Sequence, residues 1–160
     1  MLARVSQSQQ QVHDADLIAR AVAALSLATL AVIHTVDLPG TLGPTPLVGI
    51  GYFGIIAAAM LAGGAMIIRS HWLVWAVAGG LAAFAMGGYI LTRARTRGYP
   101  GDHGDVGNWR GPLGIAALSV ETVIILLAAV SGAWRVRARV ARAAESPQAL
   151  RSLPDYSSRG

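Results

Sequence analysis

The chain contains no cysteine and no lysine. The first absence removes disulfides, thiolate-bound zinc, iron–sulfur clusters and cysteine nucleophiles together. The second means that all 13 basic residues are arginine. Charge is scarce overall: charged residues make up 13% of the 160, about half the usual share of roughly 25%. So little charge cannot coat a soluble globular domain. What is abundant is apolar surface and glycine, with 54% hydrophobic residues, 19 glycines and a mean hydropathy of +0.51. That hydrophobicity excludes a disordered chain as well. The composition implies a small integral membrane protein of one domain.

Four apolar runs stand out, at about 17–36, 47–68, 72–92 and 112–134. Each is long enough to cross a hydrocarbon core of about 30 Å as a helix. Transmembrane strands would be about half as long and would alternate. The expected fold is therefore all-α, a four-transmembrane-helix bundle. The first run is too long for a cleavable signal, and its flank holds Asp14 and Asp16. Residues 1–13 read as a disordered polar tail and 14–145 as the membrane domain, with a basic helical extension over 135–145. Ser146 and Pro147 are expected to end that helix, and 146–160 read as a disordered C-terminal tail. Three prolines and two glycines over 37–46 predict a compact non-helical turn. Runs two and three are joined by three residues only, so they must be antiparallel neighbours.

Arginine sets the expected orientation. Four spans put both termini on one side, which receives nine arginines against four on the other. The excess favours cytoplasmic termini in a cell membrane. Trp72, Trp75 and Trp134 are expected in an aromatic belt at one face, with Tyr52, Tyr89 and Trp109 at the other. Arg135, Arg137, Arg139 and Arg142 read as contacts to lipid phosphate, and a docking site for a protein is the rarer alternative. Arginine at the ends of apolar segments meets lipid, so nucleic acid is not an expected partner. Because lipid is as apolar as leucine, the helices must associate by close packing. Gly51 and Gly54, Ala59 and Gly63, Gly79 and Ala83, and Gly80 and Gly87 supply small faces for a bundle seam, a second copy or a partner subunit.

Glu121 is the sharpest chemical feature, about ten residues inside the fourth span. Burial at that depth favours the neutral acid. Ser26 and Thr29 on the first helix are expected nearest in depth, and Arg20 would reach it only if stretched. The plain reading is a structural carboxyl that bridges helices through hydrogen bonds. The functional reading is a site that exchanges a proton or a cation; a subunit contact is the third. His34 and Asp37 share one side of a helix end, on the membrane side that also receives Asp102, His103 and Asp105. Those five could converge on a divalent ion. Their spacing matches no strong metal motif, so the expectation is a satisfied histidine and a solvated turn, with no metal. One histidine within a span does not make a bis-histidine haem site, and no cofactor is expected. Asn108, Trp109 and Arg110 precede the last span, with Trp109 as interface anchor. No Walker A, G-x-S-x-G, H-E-x-x-H or dinucleotide pattern is present, so an enzyme is not expected.

The segments IHTVDLPG at 33–40 and GYPGDHGDVGNWRGPLG at 98–114, leading into LSVE at 118–121, carry a likeness. Over roughly 17–134 the chain resembles an uncharacterised family of small four-transmembrane-helix membrane proteins from actinobacteria. That family pairs a first-helix histidine with a Gly-Asn-Trp loop before a helix containing glutamate. The resemblance implies a fold and a site-bearing face, not an activity. The chain departs from it at Arg110 and Gly111, which stand where an acidic residue is expected. The leading expectation for function is a non-enzymatic accessory or structural subunit of a membrane complex. The alternative is a small proton- or cation-linked transporter or sensor built on the Glu121 carboxylate.

Overall fold

A computed structural model describes residues 2–68, 71–94 and 106–151. It is an antiparallel bundle of four helices: α1 (Leu2–Leu42), α2 (Pro46–Ile68), α3 (Trp72–Ala94) and α4 (Pro112–Arg151). All four are long and apolar enough to cross a membrane, and the protein is a multi-pass membrane protein of all-α class. Each helix packs against its two neighbours around the bundle; α1 against α2 is the broadest contact and α2 against α3 the sparsest.

The core is written at helical spacing. α1 contributes Ala23, Leu27 and Leu30, α2 Ile55, Ala59, Ala62 and Met66, α3 Trp75, Ala78, Ala82 and Ala85, and α4 Ala117 and Ile124. Steps of three and four residues put each set on one face. Alanine dominates, which lets backbones approach where lipid supplies no hydrophobic drive. Large side chains point outward instead: Leu47, Leu61 and Ile68 are each more than 70% exposed. A water-soluble protein would not tolerate that surface.

Three boundaries differ from the sequence expectation. The expected tail at 1–13 is helical from Leu2, because the stretch has no proline or glycine and simply prolongs a nucleated helix. The expected turn at 37–46 begins only after Leu42, with Pro39 inside α1. Proline there removes only the one amide that would bond back to Thr35 O, and the helix runs less than a turn beyond it. Thr41 Oγ1 donates to Asp37 O at 3.1 Å, and Thr45 donates to Thr41 O through both its amide and its hydroxyl at 3.0 Å. Pro46 then starts α2 at the position where its missing N–H costs nothing. Finally, α4 runs past Pro147 to Arg151. Its Arg- and Ala-rich extension propagates the helix through the single lost donor.

Glycine is decisive where backbones touch. A Cβ on Gly79 would stand 2.9 Å from Ala128 Cβ, a contact between rigid atoms that forces α3 and α4 apart. We expect Gly79→Leu to lower stability by about 1–3 kcal/mol. Gly80→Leu, whose Cβ meets nothing within 4 Å, should leave the melting temperature in detergent unchanged. Gly107 is the one described residue with a left-handed backbone, at φ 73°. It turns the chain back onto α3, donating to Arg93 O at 3.1 Å.

Candidate functional site

Glu121 lies in the core stripe of α4, between Ala117 and Ile124. It is 1% exposed, so it faces the bundle interior and not lipid. Its Oε2 is buried with no hydrogen-bond partner. The expected bridge to Ser26 and Thr29 is not made by Thr29, whose hydroxyl donates to Leu25 O of its own helix at 2.9 Å.

The depths explain why. Arg20 on α1 is level with Met66 on α2, and Gly79 on α3 is level with Ala128 on α4. With the facing ends of α2 and α3, Ile68 and Trp72, taken as level, counting about 1.5 Å per residue through those contacts puts Glu121 about 18 Å along the bundle from Arg20. The matching residues of α1 are near 32–34, two turns beyond Ser26. The helix itself continues to Leu42, past the expected span end near 36, and by this count His34 stands at the depth of Glu121.

Arg20 is not stretched towards Glu121 at all. Its Nε donates to Met66 O at 2.8 Å and its Nη2 to Ile67 O at 2.6 Å. It thus caps the C-terminal carbonyls of α2 with positive charge, the sign that helix end favours. Asp16 stands 3.8 Å away on the same face of α1.

His34 is buried in the stripe of Ala23, Leu27 and Leu30. Its Nδ1 lies 3.0 Å from Leu30 O. A carbonyl only accepts, so the ring proton is on Nδ1. The Tyr52 ring meets the imidazole edge-on at 4.7 Å, and the Tyr52 hydroxyl donates to Asp37 Oδ2 at 2.9 Å. Tyr52 therefore joins α2 to α1 twice, through its ring on His34 and through its hydroxyl on Asp37. The spacing pairs His34 with Asp37 and places Tyr52 in an aromatic belt; the position of Tyr52 between them depends on the α1–α2 register. Among the described residues no three His, Asp or Glu side chains gather as metal ligands. Asp102, His103 and Asp105 lie outside the described residues.

At the same end of the bundle, the Asn108 carbonyl accepts from Arg93 Nε at 2.8 Å. The Arg93 guanidinium lies 3.7 Å from the centroid of the Tyr89 ring, and Trp109 packs edge-on to that ring at 6.1 Å. These contacts clamp the loop before α4 rather than build a pocket.

At the opposite end, which carries both termini, Trp75 departs from its expected place in the belt. It is 3% exposed in the core, and its indole N–H finds no acceptor. Trp72 and Trp134 remain exposed. Arg135 and Arg139 line an open cleft with Trp72 and Trp75. Arg137 does not line it, and neither does Arg142, whose Nε donates to Ala138 O at 3.2 Å.

The arrangement offers a sequestered carboxyl, a tyrosine-linked histidine and a basic cleft. Comparisons of the chain with protein-family models, with curated proteins and with solved structures give no match.

Proposed function

We propose that the chain is a non-enzymatic accessory subunit of a membrane complex, seated in the cell membrane with both termini in the cytoplasm. The excess of arginine on the terminal side supports that orientation. One observation carries the accessory role: an open, glycine-lined seam between α2 and α3. Gly63 meets α1, and Gly79 meets α4. Gly51 and Gly54 lie on the flank of α2 turned away from α1, and Gly88 on the flank of α3 turned away from α4. All three stand at similar depth, and none has a neighbour within 4 Å of a built Cβ. Lipid gains little from a smooth face, whereas a partner helix gains close backbone contact. The likeness to small actinobacterial four-span proteins belongs to this reading.

Native purification at native expression, with mass spectrometry of what co-purifies, tests it. A stoichiometric membrane partner is expected. Gly54→Leu combined with Gly88→Leu should cost at least about tenfold in partner recovery, roughly the packing of one or two side chains. The bundle itself should melt unchanged, because both side chains extend into open space. A chain that purifies alone, or a partner retained by the double variant, ends the reading.

A second reading has its own observation. The core carboxyl of Glu121, with one oxygen unpartnered, supports a proton- or cation-linked transporter or sensor. Proton flux into vesicles holding the purified chain, abolished by Glu121→Gln, would favour it; no flux removes it.

A further inference from the structure

We propose that the cleft between the start of α3 and the end of the α4 span binds the phosphate head group of one anionic phospholipid. The cleft holds about 210 Å³ and is lined by Trp72, Trp75, Gly132, Arg135, Val136 and Arg139, with Ala76 at its side. A single water needs about 10–15 Å³ on that measure, so a phosphodiester fits with room for the first carbons of its glycerol.

Position comes first. α3 begins at Trp72, and the arginines of α4 begin where its apolar span ends. The two helices are antiparallel, so the cleft stands at the level of the lipid head groups. Trp72 and Trp134, both exposed there, are the residue type that settles at that level.

Charge comes second. Arg135 and Arg139 are four residues apart, on one face of α4. Opposite them is the N-terminal end of α3, which carries the positive end of a 23-residue helix. No described carboxylate lines the cleft. The first amides of α3 already donate to His71, Leu73 N to its Nδ1 and Val74 N to its O, so α3 adds its positive dipole end and the two guanidinium groups add the donors that complement a phosphate.

The third element separates a lipid from a free anion. The remaining wall is indole ring, aliphatic side chain and glycine backbone, and Ala76, Gly132 and Val136 in it are exposed on the flank of the bundle. Free phosphate gains nothing from that wall; a lipid tail does. The diffuse attraction expected of four arginines thus resolves into two that share a built cleft and two, Arg137 and Arg142, that do not. The site stands whether or not the chain has a protein partner.

The test uses the full chain in nonionic detergent, titrated with phosphatidylglycerol or phosphatidylcholine and read by native mass spectrometry and tryptophan fluorescence. One phosphatidylglycerol per chain is expected, with phosphatidylcholine at least about tenfold weaker. Arg135→Gln with Arg139→Gln should weaken phosphatidylglycerol about tenfold or more, since each arginine near anionic lipid is worth about fivefold. Arg137→Gln with Arg142→Gln, equal in charge, should change it less than about threefold. Ala76→Leu keeps every charge and fills the side of the cleft, so it should also weaken binding and show that shape matters. Equal losses in the two double variants, or binding that ignores Ala76→Leu, would mean diffuse electrostatics and overturn the site. Displacement of the lipid by millimolar inorganic phosphate would identify a free-anion site and overturn the lipid assignment.

Discussion

Replacing Glu121 with leucine should make the protein more stable. The side chain is 1% exposed, and its Oε2 has no partner. A buried polar group left unsatisfied costs about 1–3 kcal/mol, and leucine fills a similar volume without that cost. The neighbours in the stripe, Ala117 and Ile124, are already apolar. We expect Glu121→Leu to gain about 1–3 kcal/mol, seen as a melting temperature several degrees higher in detergent. Glu121→Gln keeps an unpaired polar group in place and should be close to neutral. The comparison separates two reasons for a carboxyl in a membrane core. If the leucine variant is more stable yet loses its partner or its proton flux, the carboxyl is kept for function at the expense of stability. A leucine variant that melts lower would show that the carboxyl is satisfied within the bundle and structural.

Arg20→Ala should produce the largest loss of stability among the charged positions. Arg20 donates two short, charge-assisted bonds across the α1–α2 interface, to Met66 O and Ile67 O. Such bonds are worth about 1.5–3 kcal/mol each when sheltered. The Ile67 bond is exposed and the Arg20 side chain is 16% accessible, so the expected total is about 2–3 kcal/mol after discount for screening. The last turn of α2 should also open, read as faster amide exchange near Met66. Lysine cannot fork to two carbonyls, so Arg20→Lys should recover only part of the loss. Asp16→Ala should change little, because that pair is 3.8 Å apart and half exposed. A neutral Arg20→Ala would mean that the α2 carbonyls are equally well served by water or lipid head groups.

The four spans were legible because length and hydrophobicity alone decide what crosses a membrane. The basic end of α4 was legible for the same reason, since charge marks the boundary of the hydrocarbon. Glu121 was visible as an anomaly: one carboxyl among Leu, Ile and Val contradicts its surroundings without any neighbour being known. What surrounds it was not visible. Ser26 and Thr29 are nearest to it in depth only if α1 ends near 36, and α1 continues through Pro39 to Leu42.

Only the packed structure decided the rest, because it depends on register between segments far apart in the chain. Arg20 meets Met66 and Ile67 across 46 and 47 residues. Tyr52 reaches Asp37 because the turn after Leu42 fixes how α2 lies on α1. Small residues looked interchangeable in the sequence, yet Gly79 is pressed against Ala128 while Gly80 beside it faces open space. The sequence by itself determined that this is a four-span membrane helix bundle with a buried acid. The tertiary structure decided which face of each helix is inward. Hydrophobicity cannot make that choice in a lipid-embedded chain, because both faces of every helix are apolar and only close contact tells them apart.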